Sequence, residues 1–415
     1  MLFKTALRNL RKNPIMNTIC LIQLIAVLLI TAVMVSALSV RYRTYEPVRD
    51  ILESNGVYCV YSPVCGAVKP GGVTVDRSDS IFSAEELYKY TEADSVFTIQ
   101  TVTVLPSDET LNKSARPLFY DDELLSRYKP ELKSGRWLSK DSDELEIVIP
   151  EGMYGADVGD TIDLMMPQFN SQKQVTMRVV GILKDGTEIL GRERPREEFG
   201  DIYRFMYEPY YIKIEAESQH VFLASASALN RLYPEVELIM DSAFFLSDDA
   251  SEEKSAQLLK NAAQLSPIII IPLNDMNNNS IIYLREQLLQ LLPIVVVLLI
   301  LVIVSAISVS AISTRQRSAD YAKFYILGLQ WKQCAAVNLF QSLVLSIAAL
   351  GVSFVLLITA MLTPLSETIM IILNPWLIFS LSGIIMIYLV FSMIMPLLMI
   401  GTTTPKQLLQ ERSGG

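Results

Sequence analysis

Four long apolar runs constrain this chain more than any other feature of its sequence. They cover residues 15–40, 288–312, 338–362 and 375–400. Each run reaches the roughly 20 apolar residues that an α-helix needs to cross about 30 Å of hydrocarbon. The runs also explain why 51% of the 415 residues are hydrophobic. The sequence therefore predicts a membrane protein with four transmembrane α-helices.

The segment between the first two runs, residues 41–287, is long enough to form a folded domain of its own. It carries 41 acidic and 25 basic side chains, a net charge of −16. Helix starts are expected where Ser83 and Asp249 each precede a Glu by three residues, and a helix is expected to end near Leu265. Strands rich in β-branched and aromatic residues are predicted at 96–105, 145–150, 161–166, 174–183 and 210–214. This mixture predicts a large α+β domain inserted between the first and second spans.

The short segments around the spans are basic and predict the orientation of the chain. Residues 1–14 combine apolar residues at helical spacing with four cations, which predicts an amphipathic helix on the inner leaflet or a simple basic flank. Residues 313–337 carry four cations and one acid. Because short basic segments stay in the cytoplasm, this loop, both termini and the tail 401–415 are expected inside a plasma or inner membrane. The domain 41–287 and the short loop 363–374 are then expected outside.

Helical spacing continues beyond the membrane runs on the side of the large domain. After the first run it extends through Tyr45 and Leu52 and stops near Ser54, and residues 276–287 lead helically into the second run. One helix from Ile15 to Ser54 would be about 60 Å long at 1.5 Å per residue. We therefore expect two stalk helices between the membrane and the domain.

The loop between the second and third runs resembles a known motif. Arg317 and Asp320 in the stretch RSAD, with Gly328 in ILG, are similar to the loop of MacB/FtsX-like ABC transporter permeases. The family acid is usually Glu where this chain has Asp320, and a later family Glu is Gln341 here. The resemblance implies that this loop docks on a separate ATPase subunit.

The residues expected to make that contact are Arg317, Asp320, Lys323, Phe324, Leu327 and Gly328. Phe324 and Leu327 follow Asp320 by four and seven residues, so on a short helix all three would share one face. The alternative is that Asp320 only pairs with Arg317 or Lys323 inside an exposed loop.

The large domain also resembles the extracytoplasmic core domain of MacB-type permeases, in the stretches LKSGRWLS, YGADVGDTIDL and VTMRVVGIL. The residues that carry this resemblance are Gly135, Arg136, Gly159, Asp160 and Gly181. Glycines permit turns before strands and an aspartate can bond turn backbone. We therefore expect these five to maintain the fold, with no ligand contacts.

Several kinds of chemistry are excluded or disfavoured by the sequence. A phosphate-binding P-loop ends in Gly-Lys-Ser/Thr, and the chain contains no Gly-Lys pair. We therefore expect no enzyme activity in this chain and no cofactor, with ATP bound by a partner subunit. A single histidine, His220, argues against zinc and triad chemistry, and no metal site is expected. The absence of charges within the runs argues against an ion-coupled transporter.

The cysteines and the polar residues of the spans leave alternatives open. Cys59 and Cys65 lie in the expected outer domain, where they either form a small disulfide loop or remain free thiols. Small residues recur at Ala306 and Ser310, and at Ser342 and Ser346, and such spacing suits close helix packing within one chain or in a dimer. Gln23 is the clearest lone polar group of the first run.

The resemblance implies a function and partners. It implies a permease that pairs with a second permease, identical or related, and with two ATPases in the lipid bilayer, without nucleic acid. ATP-driven closure would then move the stalks and the outer domain during export of, or resistance to, peptides or antibiotics, or during lipoprotein handling. The alternative is a non-transporting signalling subunit that activates cell-wall hydrolases. The expected cargo class stays open.

Overall fold

The structure is a computed structural model of the full chain. It describes residues 14–62, 66–70, 82, 84–102, 115–168, 171–184, 186–191, 200–207, 212–214, 217–249, 251–316, 326, 328, 331–363, 371 and 373–402. The helices are α1 Pro14–Tyr45, α2 Arg49–Leu52, α3 Ala84–Thr91, α4 Asp122–Arg127, α5 Ala226–Leu232, α6 Glu252–Ala263, α7 Leu273–Gln316, α8 Trp331–Met361 and α9 Pro375–Thr402. The expected segments 1–14, 363–374 and 401–415 lie mostly outside the described residues.

Four of these helices are long and apolar enough to cross a membrane, by length and composition. They are α1, α7, α8 and α9, which contain the four apolar runs of the sequence. An α-helix satisfies its own backbone hydrogen bonds, so each can lie in hydrocarbon without exposing unpaired N–H and C=O groups. The described residues thus bear out the expectation of four candidate transmembrane helices.

The strands between α2 and α7 form a mixed sheet. They are β1 Asn55–Val60, β2 Ser95–Thr101, β3 Ala115–Tyr120, β4 Leu132–Gly135, β5 Glu146–Ile149, β6 Thr161–Gln168, β7 Ser171–Leu183, β8 Ile189–Leu190, β9 Met206–Tyr207, β10 Ile212–Ile214, β11 Glu217–Ser225, β12 Ile239–Ser247 and β13 Ile269–Pro272. Eleven of them form one sheet in the order β13-β1-β12-β2-β3-β11-β5-β7-β4, with β10 on β11 and β6 on β7. The pairs β3–β11 and β5–β7 are parallel and the other pairs antiparallel. The fold is therefore a mixed α/β sheet domain with four long apolar helices.

The chain divides into two compact units, and the sheet belongs to the unit Tyr42–Leu284. Side chains alternate between the two faces of the sheet, as strand geometry requires. On β1, Tyr58 packs into one core and Cys59 into another, and on β12 Phe244 and Phe245 divide in the same way. Every residue of β12 is buried, which identifies it as a central strand covered on both faces.

The second unit consists of the remaining helical residues and has its own apolar core. Hydrogen bonds between side chains supplement that packing. Cys20 Sγ lies 3.0 Å from Tyr388 Oη, and Asn338 Nδ2 donates to Thr314 Oγ1 at 2.9 Å. Such bonds hold helices together where hydrocarbon offers no polar partner.

The two small-residue pairs of the sequence lie inside this helical unit. Ala306 is 1% exposed and Ser310 5%, while Ser342 is 9% and Ser346 1% exposed. Ser310 Oγ also donates to the carbonyl oxygen of Ser392. These residues therefore pack helices of one chain together, which decides between the two alternatives left by the sequence.

Two local expectations are corrected by the structure. The cap of α6 is Ser251, whose hydroxyl accepts from Lys254 N at 3.3 Å, while Asp249 instead accepts from Ser251 N at 2.9 Å. The helical path from α1 to α2 is not uniform, because a 3₁₀ turn over Glu46–Val48 separates them. Pro47 has no N–H to donate to a carbonyl four residues earlier, so the α-helical ladder is interrupted there.

Candidate functional site

The central part of the expected ATPase-docking loop, residues 317–325, lies outside the described residues, whereas residues 313–316 belong to α7 and 331–337 to α8. Of its six predicted contact residues, Arg317, Asp320, Lys323, Phe324 and Leu327 are not described, and Gly328 is. Gly328 lies in a turn with φ of 93°, and an added Cβ would meet nothing within 4 Å. This conformation favours glycine over residues with a side chain. The role of the loop stays a prediction.

The five residues of the outer-domain motif gather around one stretch of β7. Gly135 lies opposite Gly181 in the β4–β7 register, and Arg136 N donates to Val180 O at 2.8 Å. At the neighbouring residue of β7, Gly159 N donates to Val179 O at 2.8 Å and Val179 N donates to Asp160 O at 2.9 Å. All these contacts are between backbone groups, which supports the expected role in the fold.

The glycines of this motif allow β4 and β7 to approach closely. A Cβ on Gly135 would lie 2.2 Å from Val180 O, and one on Gly181 would lie 2.6 Å from Arg136 O. Gly135 also has φ of 82°, a conformation that L-residues with a side chain avoid.

Arg136 adds an ion pair to the same place. Its guanidinium donates to both carboxylate oxygens of Glu146, at 2.5 and 2.9 Å, and Ser139 N donates to Glu146 Oε2 at 2.9 Å. Burial opposes ionisation of Glu146, but these hydrogen bonds outweigh it and lower the pKa of the carboxyl. The pair ties β4 to β5 across the motif.

A second cluster, missed by sequence reasoning, holds the two long helices in the sheet unit. We call it the helix anchor and define it as Arg43, Tyr45, Glu131, Asn277 and Ser280. Residues 42–45 of α1 and 273–284 of α7 belong to the sheet unit. All contacts of the helix anchor described below lie within that unit.

The α1 side of the helix anchor consists of an ion pair and a buried ring. Arg43 Nε lies 2.5 Å from Glu131 Oε2, and Arg43 Nη2 donates to Thr187 Oγ1 at 2.9 Å. Glu131 Oε1 lies 2.8 Å from Lys184 Nζ. Tyr45 is 5% exposed in the core of the sheet unit. The end of α1 is therefore fixed both to Glu131, which precedes β4, and to the segment after β7.

The α7 side is fixed by one hydrogen bond between side chains and two between side chains and backbone. Tyr45 Oη donates to Asn277 Oδ1 at 2.5 Å, which joins α1 to α7. Ser280 Oγ accepts from Ile202 N at 2.9 Å, and Asn279 Nδ2 donates to Gly200 O at 3.3 Å.

Apolar packing around the helix anchor contributes more to the stability of these helix ends than the polar contacts of the anchor do. Residues from the start of α7, the end of α1, the 3₁₀ turn and α2 are buried in the same core as the sheet: Tyr45, Val48, Ile51, Leu52, Leu273 and Met276. Burying one such side chain stabilises by about 1.5–3 kcal/mol, whereas an exposed ion pair contributes about 0–1 kcal/mol. The residues of α1 and α7 that belong to the sheet unit are thus part of its core.

The Cys59 thiol is buried in β1 and forms no disulfide with another described cysteine. Burial raises the pKa of this thiol to about 12, so it stays protonated at neutral pH. Cys65 lies outside the described residues, and the disulfide stays a prediction. No group of three or more His, Cys, Asp or Glu side chains suited to a metal ion occurs among the described residues.

No protein-family model matches the sequence, and no curated relative matches it. The chain is similar to the periplasmic region of MacB from Actinobacillus actinomycetemcomitans, with 14% identity over 56% of this chain and 94% of that chain and a TM-score of 0.29. It is similar to the extracellular domain of the noncanonic ABC-type transporter YknZ from Gram-positive bacteria, with 10% identity, coverage of 52% and 93%, and a TM-score of 0.27. Similarity this low assigns neither fold nor function.

Proposed function

We propose that this chain is the permease subunit of an ABC transporter-like system. In this proposal it converts ATP-driven motion of a separate ATPase subunit into movement of the sheet unit, which lies outside the cell membrane. The observation that carries the proposal is the helix anchor. Helices of membrane-spanning length end inside the core of a folded domain, so a displacement of α1 or α7 must move or deform that domain.

The chemistry of the described residues is consistent with a mechanical role. The motif residues of the sheet unit contact β7 through backbone hydrogen bonds, as expected of residues that maintain a fold. ATP hydrolysis is assigned to the partner, and the cargo is proposed to be handled outside the bilayer. Peptides, antibiotics or lipoproteins are the classes that follow from the resemblance of the sequence motifs.

The orientation of the chain is the first part of the proposal to test. A cysteine in place of Ser318 is expected in the cytoplasm and resists a membrane-impermeant thiol reagent in intact cells. A cysteine in place of Arg194 is expected outside and reacts. Labelling in the opposite sense would overturn the orientation and with it the docking loop.

The ATPase contact is the second part. Phe324 is proposed to fill an apolar groove of the ATPase, and truncating a buried interface anchor costs about 2 kcal/mol or more of binding. The double variant Asp320→Ala, Phe324→Ala should insert in the membrane at the wild-type level but fail to co-purify an ATPase from native membranes. Co-purification at wild-type yield would remove this docking assignment.

In the proposed assembly the ATPases act on two permeases, identical or related. The pairing follows from the sequence resemblance. The size of the complex purified from native membranes, measured by mass photometry, tests it, and a single permease with a single ATPase would contradict it.

A further inference from the structure

An open groove lies between α1 and α7 in the helical unit. Its volume is about 640 Å³, and α1 and α7 supply all of its lining residues. Most of them are apolar, and several of these are strongly exposed: Ile15 is 77% exposed, Ile19 53% and Val304 56%. None of the described residues that line the groove carries a charged side chain. Its walls are therefore suited to hydrocarbon or to another apolar helix.

Gln23 lies at the floor of the groove, and only the oxygen of its side-chain amide has a hydrogen-bond partner among the described residues. Gln23 Oε1 accepts a hydrogen bond from Ser305 Oγ at 2.7 Å, and both residues line the groove. Among the residues that the structure describes, none accepts a hydrogen bond from Gln23 Nε2. If the amide oxygen and nitrogen of Gln23 were assigned the other way round, Nε2 would donate to Ser305 and Oε1 would face the groove without a partner. The conclusion is therefore the same for either assignment.

The position of Gln23 makes this open amide costly. It lies about 13 Å along α1 from Pro14 at 1.5 Å per residue, within a hydrocarbon layer about 30 Å thick. Acyl chains offer no hydrogen-bond acceptor, so an amide that faces them loses the bonds it makes in water. The groove therefore favours an occupant that presents a polar group at the same depth as Gln23.

A second copy of this chain meets that requirement by symmetry. Two copies inserted in the same direction are related by a twofold axis along the membrane normal, which places their Gln23 side chains at equal depth. A carboxamide is self-complementary, because each can donate from Nε2 to the Oε1 of the other. Ser308 also lines the groove, and its small side chain allows close helix approach.

We propose that two copies of this chain pair through the α1–α7 groove, with reciprocal Gln23 amide hydrogen bonds at its centre. This inference rests on the proposed pairing of permeases and adds the surface and the residue that specify it. The small-residue pairs Ala306–Ser310 and Ser342–Ser346 cannot provide this surface, because they are buried within one chain.

Cysteine cross-linking in membranes tests this surface. Ile19→Cys is introduced into a full-length chain in which Cys20 is replaced by Ser and Cys59, Cys65 and Cys334 by Ala. Ile19 lies one helical turn before Gln23, so oxidation is expected to give a disulfide-linked homodimer. The matched control is Phe379→Cys on α9. Phe379 is 71% exposed and is not one of the residues that line the groove, so this variant should stay monomeric.

Two further variants test the amide and the groove separately. Gln23→Leu should lower the homodimer association constant about 5- to 30-fold, the range for one interhelical hydrogen bond of about 1–2 kcal/mol. Gln23→Asn, which keeps a carboxamide, should restore part of the loss. Ser308→Phe leaves the Gln23–Ser305 bond in place but fills the groove, and it should abolish the Ile19→Cys cross-link.

The outcomes separate this inference from the proposed function. Cross-linking of Phe379→Cys but not Ile19→Cys would show pairing through another surface and overturn the inference alone. Capture of a different polypeptide by Ile19→Cys would overturn the choice of a second copy. A monomeric permease in native membranes, with no cross-link at either position, would contradict both the inference and the proposed pairing.

Discussion

At the scale of single residues, Gly135 is the motif position where the structure tolerates a side chain least. Gly135→Ala should destabilise the sheet unit by at least about 2 kcal/mol. Left-handed φ costs an L-residue about 1–2 kcal/mol, and its Cβ would lie 2.2 Å from Val180 O. Urea unfolding followed by circular dichroism measures the change.

The matched control for that substitution is Gly155→Ala. Gly155 also has positive φ, 65°, but an added Cβ meets nothing within 4 Å. Only the backbone strain should then appear, about 1–2 kcal/mol. Equal losses in the two variants would contradict the close approach of β4 and β7.

Asp121 is the residue whose ionisation should be visible in the stability of the sheet unit. It caps α4, accepting from Leu124 N at 2.8 Å, and it also accepts from Thr98 N. Burial raises the pKa of its carboxyl from 3.8 to about 6. Since the folded protein binds this proton more tightly than the unfolded chain, the free energy of unfolding should fall as pH rises from about 4 to about 6. Above pH 6 this contribution is constant.

Comparing wild type with Asp121→Asn isolates that slope from other titrating groups. Asn cannot ionise, so the wild-type protein should lose up to about 3 kcal/mol more than the variant between pH 4 and 6. Above pH 6 the variant should still be less stable by about 1–3 kcal/mol, because its NH₂ group faces one of the two backbone N–H donors. Parallel pH profiles would refute the assigned pKa.

At the scale of elements, the helix anchor predicts that the end of α1 is protected as part of the domain core. Tyr45→Ala removes a buried ring and should cost about 3–5 kcal/mol, so hydrogen exchange over residues 45–52 should speed up strongly in the full-length protein. Tyr42→Ala is the control, because Tyr42 is 48% exposed. Unchanged exchange in the Tyr45 variant would mean that α1 is not held by this core.

The sequence predicted elements wherever a strong local period or turn signal existed. Strands β6 and β7 alternate apolar and polar residues, and the four apolar runs are long. By contrast, β12 is buried along all nine residues, and a short apolar run of this kind cannot be distinguished from buried helix by periodicity. The cap of α6 was misplaced by two residues because Asp249 and Ser251 are both good caps.

At the scale of the whole molecule, the contacts that matter most join distant parts of the chain. Tyr45 and Asn277 are 232 residues apart and Arg43 and Thr187 are 144 apart, and no local pattern links such pairs. A hint existed in the helical spacing at Tyr45, Val48 and Leu52. Gln23 was visible as a lone polar residue, but the groove around it depends on how α1 and α7 pack.

We propose that ATP-driven motion reaches the sheet unit of the whole molecule through the helix anchor. The most direct measurement is the distance between spin labels on Glu253→Cys in two paired copies, with Cys65 and Cys334 replaced by Ala and the buried Cys20 and Cys59 retained. In the complex purified with its ATPase, the distance distribution should shift when ATP is bound. With Arg43→Gln and Tyr45→Ala it should stay unchanged although the ATPase remains bound and hydrolyses ATP. A distribution that is the same with and without ATP in the wild-type complex, or the same shift in the variant, would contradict the account.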